Sequence, residues 1–587
     1  INNQNMSDDK IFNQELDNLQ TIADNMIAQA KNLNQQANEI LNQAQQLSQQ
    51  ANSIKAYIKK QKQIHESNRL SSPRYIPLQQ KTVAIIGCSH AGTIAAISLR
   101  QLEPNTKIIV FEKNPDISFL SCGIHLTVNQ TCTDLNRLFY NSPENLVQNN
   151  IELHSESSVA SVDFGEQLLN AVVKNEKQQF QYSKLIIATG SVPAIPTIIS
   201  NINYLQNVPE QIKKMKRVLM CKNYADAQKL ISLQKVKHIG IVGAGLIGME
   251  LAWSFTDIGA KVTVIDHGDR ILKSYFDKEY TDVLQEQCAD LKIDILMKTR
   301  ISKINESVSD VMVVAEQATG GTVKFIQINF DYLVMASGFR PNTDLVCKQN
   351  SQLQSANGII LSDKQCKTSV KNVFAIGDCA SSRSCLQHTG CYLPLASVAV
   401  RHGLTAAYAI AGQPLPNFGA AGCTAVQLFG YSLASTGMKQ EEQKQLNLAK
   451  VVYSDFLYHG YCHKQLEKVS QRIPLRFRKN TEQVLGMADQ IIDSFETIEL
   501  DKQEDQIVSV TLIFNQQTGK IFGNQSMGKQ DITQQTNAVA LAMCQGIGVD
   551  DLAQMDFGGY CGEEKPWNVL AVAAGLRQLV AVDFEAQ

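Results

Sequence analysis

His238-Ile239-Gly240-Ile241-Val242-Gly243-Ala244-Gly245-Leu246-Ile247-Gly248 decides the fold. An apolar run that alternates no polar face reads as a strand buried on both sides. Three glycines at spacing one, three and six then open an apolar helix over Met249–Phe255. The glycines permit a tight turn and close approach of a ligand to the backbone. A pyrophosphate would then sit at the positive N-terminus of that helix. Asp266 ends the next apolar strand, Val262–Ile265, at the distance that reaches an adenosine ribose. Its charge would repel a 2′-phosphate, so the site is read as one for NAD(H).

Working outward, a second and more degenerate turn lies upstream. Gly87-Cys88-Ser89-His90-Ala91-Gly92 follows the apolar run Val83–Ile86, with Ser89 at the central glycine position. Glu112 closes the following strand, Lys107–Phe111, at the ribose-binding distance. Further runs at Leu185–Ala188, Tyr332–Ala336 and Val373–Ile376 alternate with helical segments, the texture of parallel sheets covered by helices. Thr189-Gly190 and Gly377-Asp378 each end such a strand in a glycine turn, and Asp378 can hydrogen-bond a ribityl hydroxyl. Two dinucleotide sites in one chain point to a flavin and a nicotinamide that exchange hydride. From about Gly419, strands at Ile507–Phe514 and Ile521–Asn524 precede a helix and suggest a separate α+β domain.

The first 70 residues differ in kind. They are rich in Gln and Asn, and apolar residues from Phe12 through Leu16, Leu19 and Ala23 to Ile54 and Ile58 step by four and three throughout. That is a heptad seam and predicts a coiled-coil helix, the alternative being a single amphipathic helix lying along the body. Ser71-Ser72-Pro73-Arg74 reads as a linker.

The whole chain sets the bounds. At 587 residues it exceeds one core and should hold three or four domains. A 44% hydrophobic and 19% charged composition is that of an ordinary globular protein. The net charge of −2 gives no reason to expect nucleic acid or an anionic membrane as partner. No apolar stretch is long enough to span a bilayer, and no signal peptide is visible. Fourteen scattered cysteines suit a reducing cytoplasm, where a single cysteine matters through its chemistry. Cys379, Cys385 and Cys391 with His388 lack the usual spacing of metal ligands, so no metal is expected.

Taken together, these segments resemble the pyridine nucleotide-disulfide oxidoreductases, and within them the single-cysteine branch of water-forming NADH oxidases and NADH peroxidases. Ile117-Ser118-Phe119-Leu120-Ser121-Cys122-Gly123, Gly338-Phe339-Arg340-Pro341-Asn342-Thr343, Asp531-Ile532-Thr533 and Lys565-Pro566-Trp567-Asn568 carry the likeness alongside the two turns. It covers about residues 81–587. It implies two Rossmann-like domains, for FAD and NAD, and an α+β dimerisation domain. The division it implies is 1–70 coiled-coil extension, 71–80 linker, 81–205 and 336–412 FAD-binding, and 206–335 NAD-binding. The dimerisation domain would span 413–587, with an insertion near 463–504.

The resemblance assigns Cys122 as redox centre and His90 as its partner. It places Gly87, Ser89, Ala91, Gly92, Glu112, Lys113, Ser121, Thr189, Gly190, Lys222, Gly377, Asp378, Leu395, Ala396 and Ser397 at FAD. Gly243, Gly245, Leu246, Ile247, Gly248, Asp266, Tyr275 and Gly338 fall to NADH. Disulfide reductases of this kind carry a second cysteine five residues after the first, where this chain has Thr127. A lone cysteine beside a flavin suits a thiolate and sulfenic acid cycle. A helix N-terminus or a nearby imidazolium would favour that thiolate. The implied reaction is reduction of O2 to water by NADH. Peroxide or a small disulfide such as that of coenzyme A is the alternative acceptor, and a redox-sensing scaffold is the reading from another class. Cys88 and Ala91 favour the oxidase among these. Gly558-Gly559-Tyr560 departs from the family's aromatic run and leaves the pocket open to either size.

Overall fold

The computed structural model describes residues 80–195, 212, 214–347, 352–387, 389–442, 450–457, 507–515, 517–557, 568–571 and 573–575. The heptad segment, the linker, the 463–504 insertion, His388 and Gly558–Cys561 lie outside them. All described residues belong to one unit, Leu78–Gln587.

Two parallel five-stranded sheets organise it. In the first the order is Val373–Ala375, Lys184–Ile187, Thr82–Ile86, Lys107–Phe111, Glu152–His154. In the second it is Asp294–Leu296, Lys261–Ile265, His238–Val242, Tyr332–Met335, Val218–Met220. The glycine-turn strand is central in each, flanked by its two partners. All seven apolar runs marked in the sequence are strands of these sheets. Thr82–Ile86 is buried at every position, as a strand covered on both faces must be. The strand Val373–Ala375 comes from nearly 200 residues downstream of Lys184–Ile187, yet pairs directly with it. Gly377 and Asp378 are thereby carried to the carboxyl edge of the first sheet, where ligands of open α/β sheets bind.

Each parallel sheet has a three-stranded antiparallel companion. Ser158–Asp163, Leu168–Val173 and Glu176–Gln181 form one, and Thr299–Glu306, Val311–Thr319 and Thr322–Phe330 the other. Their alternating burial, as in Leu168–Val173, marks sheets with one wet face. A fifth element of the fold is an antiparallel sheet ordered Thr424–Leu428, Tyr431–Gly437, Ile521–Gly528, Ile507–Phe514, Lys450–Leu457. The helix Thr533–Gln545 packs on it and buries Val539, Ala542 and Met543.

The apolar cores are continuous across elements. One cluster joins Leu219, Ile241, Leu251 and Val264 of the second sheet and its helix to Leu428 and Leu433 of the antiparallel sheet. Polar clasps act across the same boundary. Asp277 is 1% exposed and takes hydrogen bonds from the Gln440 backbone at 2.6 Å and the Gln525 side chain at 2.5 Å. A buried carboxylate must be matched in this way or it destabilises the fold.

Candidate active site

Both glycine turns are built alike. Gly87 and Gly243 have φ of +102° and +110°, a left-handed backbone that disfavours any side chain. A Cβ on Gly87 would lie 2.2 Å from the Ala188 carbonyl oxygen, and one on Gly243 would lie 2.4 Å from that of Ala336. The acidic residue that follows each turn accepts the N–H of the residue after that glycine. Glu112 Oε2 takes it from Cys88 at 2.8 Å, and Asp266 Oδ2 takes it from Ala244 at 2.7 Å. The second oxygen of each is held by local donors, Asn114 for Glu112 and Gly268 for Asp266. Two carboxylates are thus fixed at two equivalent strand ends.

Between the turns runs one cavity of about 1450 Å³. Of the sequence-assigned residues, all but Gly92 and Gly248 line it. Those two stand behind the turns: a Cβ on Gly92 would be 2.0 Å from Gly87 oxygen, and one on Gly248 would be 1.9 Å from Gly243 oxygen. They allow the helices to pack, which is a different task from touching a ligand.

Cys122 lies in a short 3-10 turn, Ser121–Gly123, that runs into the helix Ile124–Val128. Its thiol is exposed to the cavity. The segment is set by Ser118, whose φ of +58° is costly for a residue with a side chain. That strain is held by buried partners: Ser118 N–H donates to Cys88 oxygen at 3.1 Å, and its hydroxyl meets Thr93 Oγ1 at 2.8 Å. The cysteine's segment is therefore tied to the first turn directly. Thr127 is 3% exposed and its hydroxyl donates to Ile124 oxygen at 2.6 Å, so no second thiol stands at that position.

The electrostatics differ from the expected thiolate-favouring setting. Burial, then the nearby Glu250, push the Cys122 thiol up rather than down. The following helix has five residues, too few for a strong dipole. Burial also lowers the His90 pKa, which works against an imidazolium beside the thiol. Its Nδ1 shares a hydrogen bond with Tyr140 Oη at 2.8 Å, and the two rings stack at 5.3 Å. Sequence reasoning did not find Tyr140, which lies 50 residues away and carries no motif.

Glu250 was also missed. It sits one turn into the helix Leu246–Asp257, lines the cavity, and is pushed up to about 8 by burial. His125 Nδ1 lies 3.7 Å from its carboxylate. An acidic residue inside the apolar run Met249-Glu250-Leu251 was the available signal. Lys222, which also lines the cavity, donates from Nζ to Ser191 Oγ at 2.9 Å, stands 3.6 Å from Asp378 and lies over the Phe339 ring. Ser191 in turn donates to Asp378 Oδ2 at 2.7 Å. Burial lowers the Lys222 pKa despite that carboxylate. Thr189 Oγ1 is buried at the cavity wall, with the Cys379 thiol as its neighbour and no oxygen or nitrogen partner among the described residues. A thiol is a weak partner for a buried hydroxyl, and a polar group of a ligand would satisfy it better. The residues thus fit a dinucleotide in the first turn.

The comparisons with known proteins agree with this geometry. The model for the family described as pyridine nucleotide-disulphide oxidoreductase matches residues 81–403. A protein named NADH oxidase from Enterococcus faecalis is 31% identical over 501 residues, spanning 84% of this chain and 98% of its own length. One of that name from Lactococcus lactis is 27% identical over 499 residues, spanning 84% and 99%. The solved water-forming NADH oxidase from Lactobacillus brevis, bound to NADH, superposes with a TM-score of 0.71 at 26% identity. That match covers 86% of this chain and all of the other. The reduced CoADR-RHD structure from Bacillus anthracis shares the fold at a TM-score of 0.71 and 21% identity. The chain belongs to the pyridine nucleotide-disulphide oxidoreductase family.

Proposed function

We propose that the chain is an FAD-dependent NADH oxidase that reduces O2 to water through a cycle at Cys122. The observation that carries this is one cavity joining two dinucleotide turns, with Cys122 the exposed thiol among the cysteines that line it and Thr127 where a second thiol would stand. Its relatives named NADH oxidase point to the same chemistry. The Lactobacillus brevis structure adds a water-forming, NADH-bound example.

The first turn, Glu112, Thr189 and Asp378 would hold FAD; the second turn, Asp266 and Tyr275 would hold NADH. FAD, when bound, supplies hydride acceptance and onward two-electron transfer. Cys122 then handles the peroxide level of oxygen reduction. Its thiolate attacks one peroxide oxygen, an S–O bond forms, the O–O bond breaks, and the departing hydroxide takes a proton and leaves as water. Cys122 is left as sulfenic acid, and a second NADH supplies the electrons that return it to thiolate and water. His90, held by Tyr140 and with its pKa lowered by burial, would give or take the proton. Lys222 would add positive charge to the same cavity.

Replacing Cys122 by Ser should leave NADH oxidation in air largely intact and release peroxide in place of water. A variant that consumes NADH and oxygen without releasing peroxide removes Cys122 from the cycle. For the assembly, the reading is a homodimer through the antiparallel C-terminal sheet, with residues 1–70 forming a coiled coil that joins such units.

A further inference from the structure

Three cysteines from three separate segments, Cys385, Cys423 and Cys544, interact with one another, and Cys423 also lines the central cavity. Cys385 is 5% exposed and lies in the loop of the hairpin formed by Ser382–Arg383 and Gly390–Cys391. Its N–H donates to Ala420 oxygen at 3.1 Å, and Ser384 bridges Ala420. A Cβ on Gly419 would stand 2.7 Å from Cys385 nitrogen, so the 419–423 segment passes tightly by it. At the end of that segment, just before the strand Thr424–Leu428, the Cys423 thiol meets Thr436 Oγ1 at 3.3 Å. On the next residue, a Cβ on Gly437 would lie 2.6 Å from Met543 Cε. Cys544 follows Met543 in the last turn of the helix Thr533–Gln545. Cys385 and Cys544 share one apolar cluster, and their thiols lie close enough to influence each other's ionisation.

The pair is chemically unequal. The neighbouring Cys385 thiol and the Arg401 guanidinium hold Cys544 below the usual thiol range. The Cys544 sulfur, with burial, pushes Cys385 up. Arg401 is fixed there by donating to Gly419 oxygen at 2.7 Å. Cys544 is partly exposed while Cys385 is buried, the arrangement of an attacking thiol with a resolving thiol behind it. Neither thiol lines the central cavity.

We propose that Cys385 and Cys544 form a second redox site, a dithiol that hydroperoxides close into a disulfide. The Cys544 thiolate attacks a peroxide oxygen, the O–O bond breaks, and Cys544 becomes sulfenic acid as hydroxide leaves. The Cys385 sulfur then attacks Cys544 sulfur, the S–S bond forms, and the sulfenic hydroxyl departs as water with the Cys385 proton. The balance is two thiols and one hydrogen peroxide to one disulfide and two waters. The bond would tie the 382–391 hairpin to the helix Thr533–Gln545. It does not depend on the role given to Cys122.

The test uses FAD-loaded, fully reduced protein treated with stepwise hydrogen peroxide, then blocked with an alkylating agent and digested without reductant. Mass spectrometry should find a dithiothreitol-sensitive peptide pair joining Cys385 to Cys544, with loss of alkylation at both. Full alkylation of both residues while Cys122 is oxidised overturns the proposal, as does linkage of Cys385 to Cys423 instead. In Cys385→Ser, Cys544 should pass on to sulfinic acid because nothing resolves it. If Cys544 stays unoxidised in that variant, its assignment as the attacking thiol fails.

Discussion

At the scale of single residues the site is an arrangement of groups displaced from their ordinary protonation. Glu250 is the clearest case. Burial raises its carboxyl from 4.5 to about 8, so the fold keeps a proton that the unfolded chain releases. Its contribution to stability is present below the unfolded pKa and is lost as pH rises through the folded one. Glu250→Gln keeps the shape and cannot ionise. The variant should match the parent's thermal midpoint at about pH 5 and exceed it by ~2–4 °C at about pH 9. An equal gain at both values would mean that charge is not the cause. The same carboxylate faces Cys122, so Glu250→Gln should also move the alkylation profile of Cys122 to lower pH. An unmoved profile would place Glu250 too far to matter. Tyr140 carries no sequence signal, because a contact 50 residues distant is a tertiary fact, and Glu250 offers only an acid inside an apolar helix, whose burial the sequence does not give. Asp266 and Glu112 were legible as the acids that end the strand after each glycine turn, whereas Cys122 is marked by the family resemblance of its segment alone.

At the scale of elements the two strand–turn–helix units are near copies, and they give separable predictions. Each first glycine has a left-handed φ and a carbonyl within 2.4 Å of any added Cβ. A side chain there costs roughly 1–3 kcal/mol of backbone strain before the steric clash is counted. Gly87→Ala should therefore purify with much of its FAD missing, seen as a lowered ratio of flavin to protein absorbance. Gly243→Ala should keep its flavin and lose ~10-fold or more in kcat/KM for NADH. Flavin loss from Gly243→Ala alone would exchange the two assignments. The seven apolar parallel strands were readable because continuous Val/Ile runs admit little else. The two three-stranded antiparallel sheets were not noticed: strands such as Glu176–Gln181 are mostly polar and short, and pair with neighbours that carry the apolar face. The stretch Ile521–Gly528 runs four residues past the expected end because Asn524, Gln525 and Ser526 are buried and hydrogen-bonded, which polarity alone conceals.

At the scale of the whole molecule, one cavity serves both turns because the strand Val373–Ala375 returns to the first sheet after the second is complete. On the proposed cycle, hydride would enter at one end and oxygen chemistry would finish at Cys122. No helix among the described residues is long and apolar enough to cross a membrane. The proposed coiled coil of residues 1–70 has its own test: removing them should lower the mass in solution, and an unchanged mass would reject self-assembly through that segment. The central claim is tested most directly by following NADH, oxygen and peroxide together during turnover in air. The account predicts two NADH consumed per oxygen molecule with no free peroxide. One NADH per oxygen with stoichiometric peroxide, or negligible oxygen uptake until peroxide or a coenzyme A disulfide is added, would contradict it.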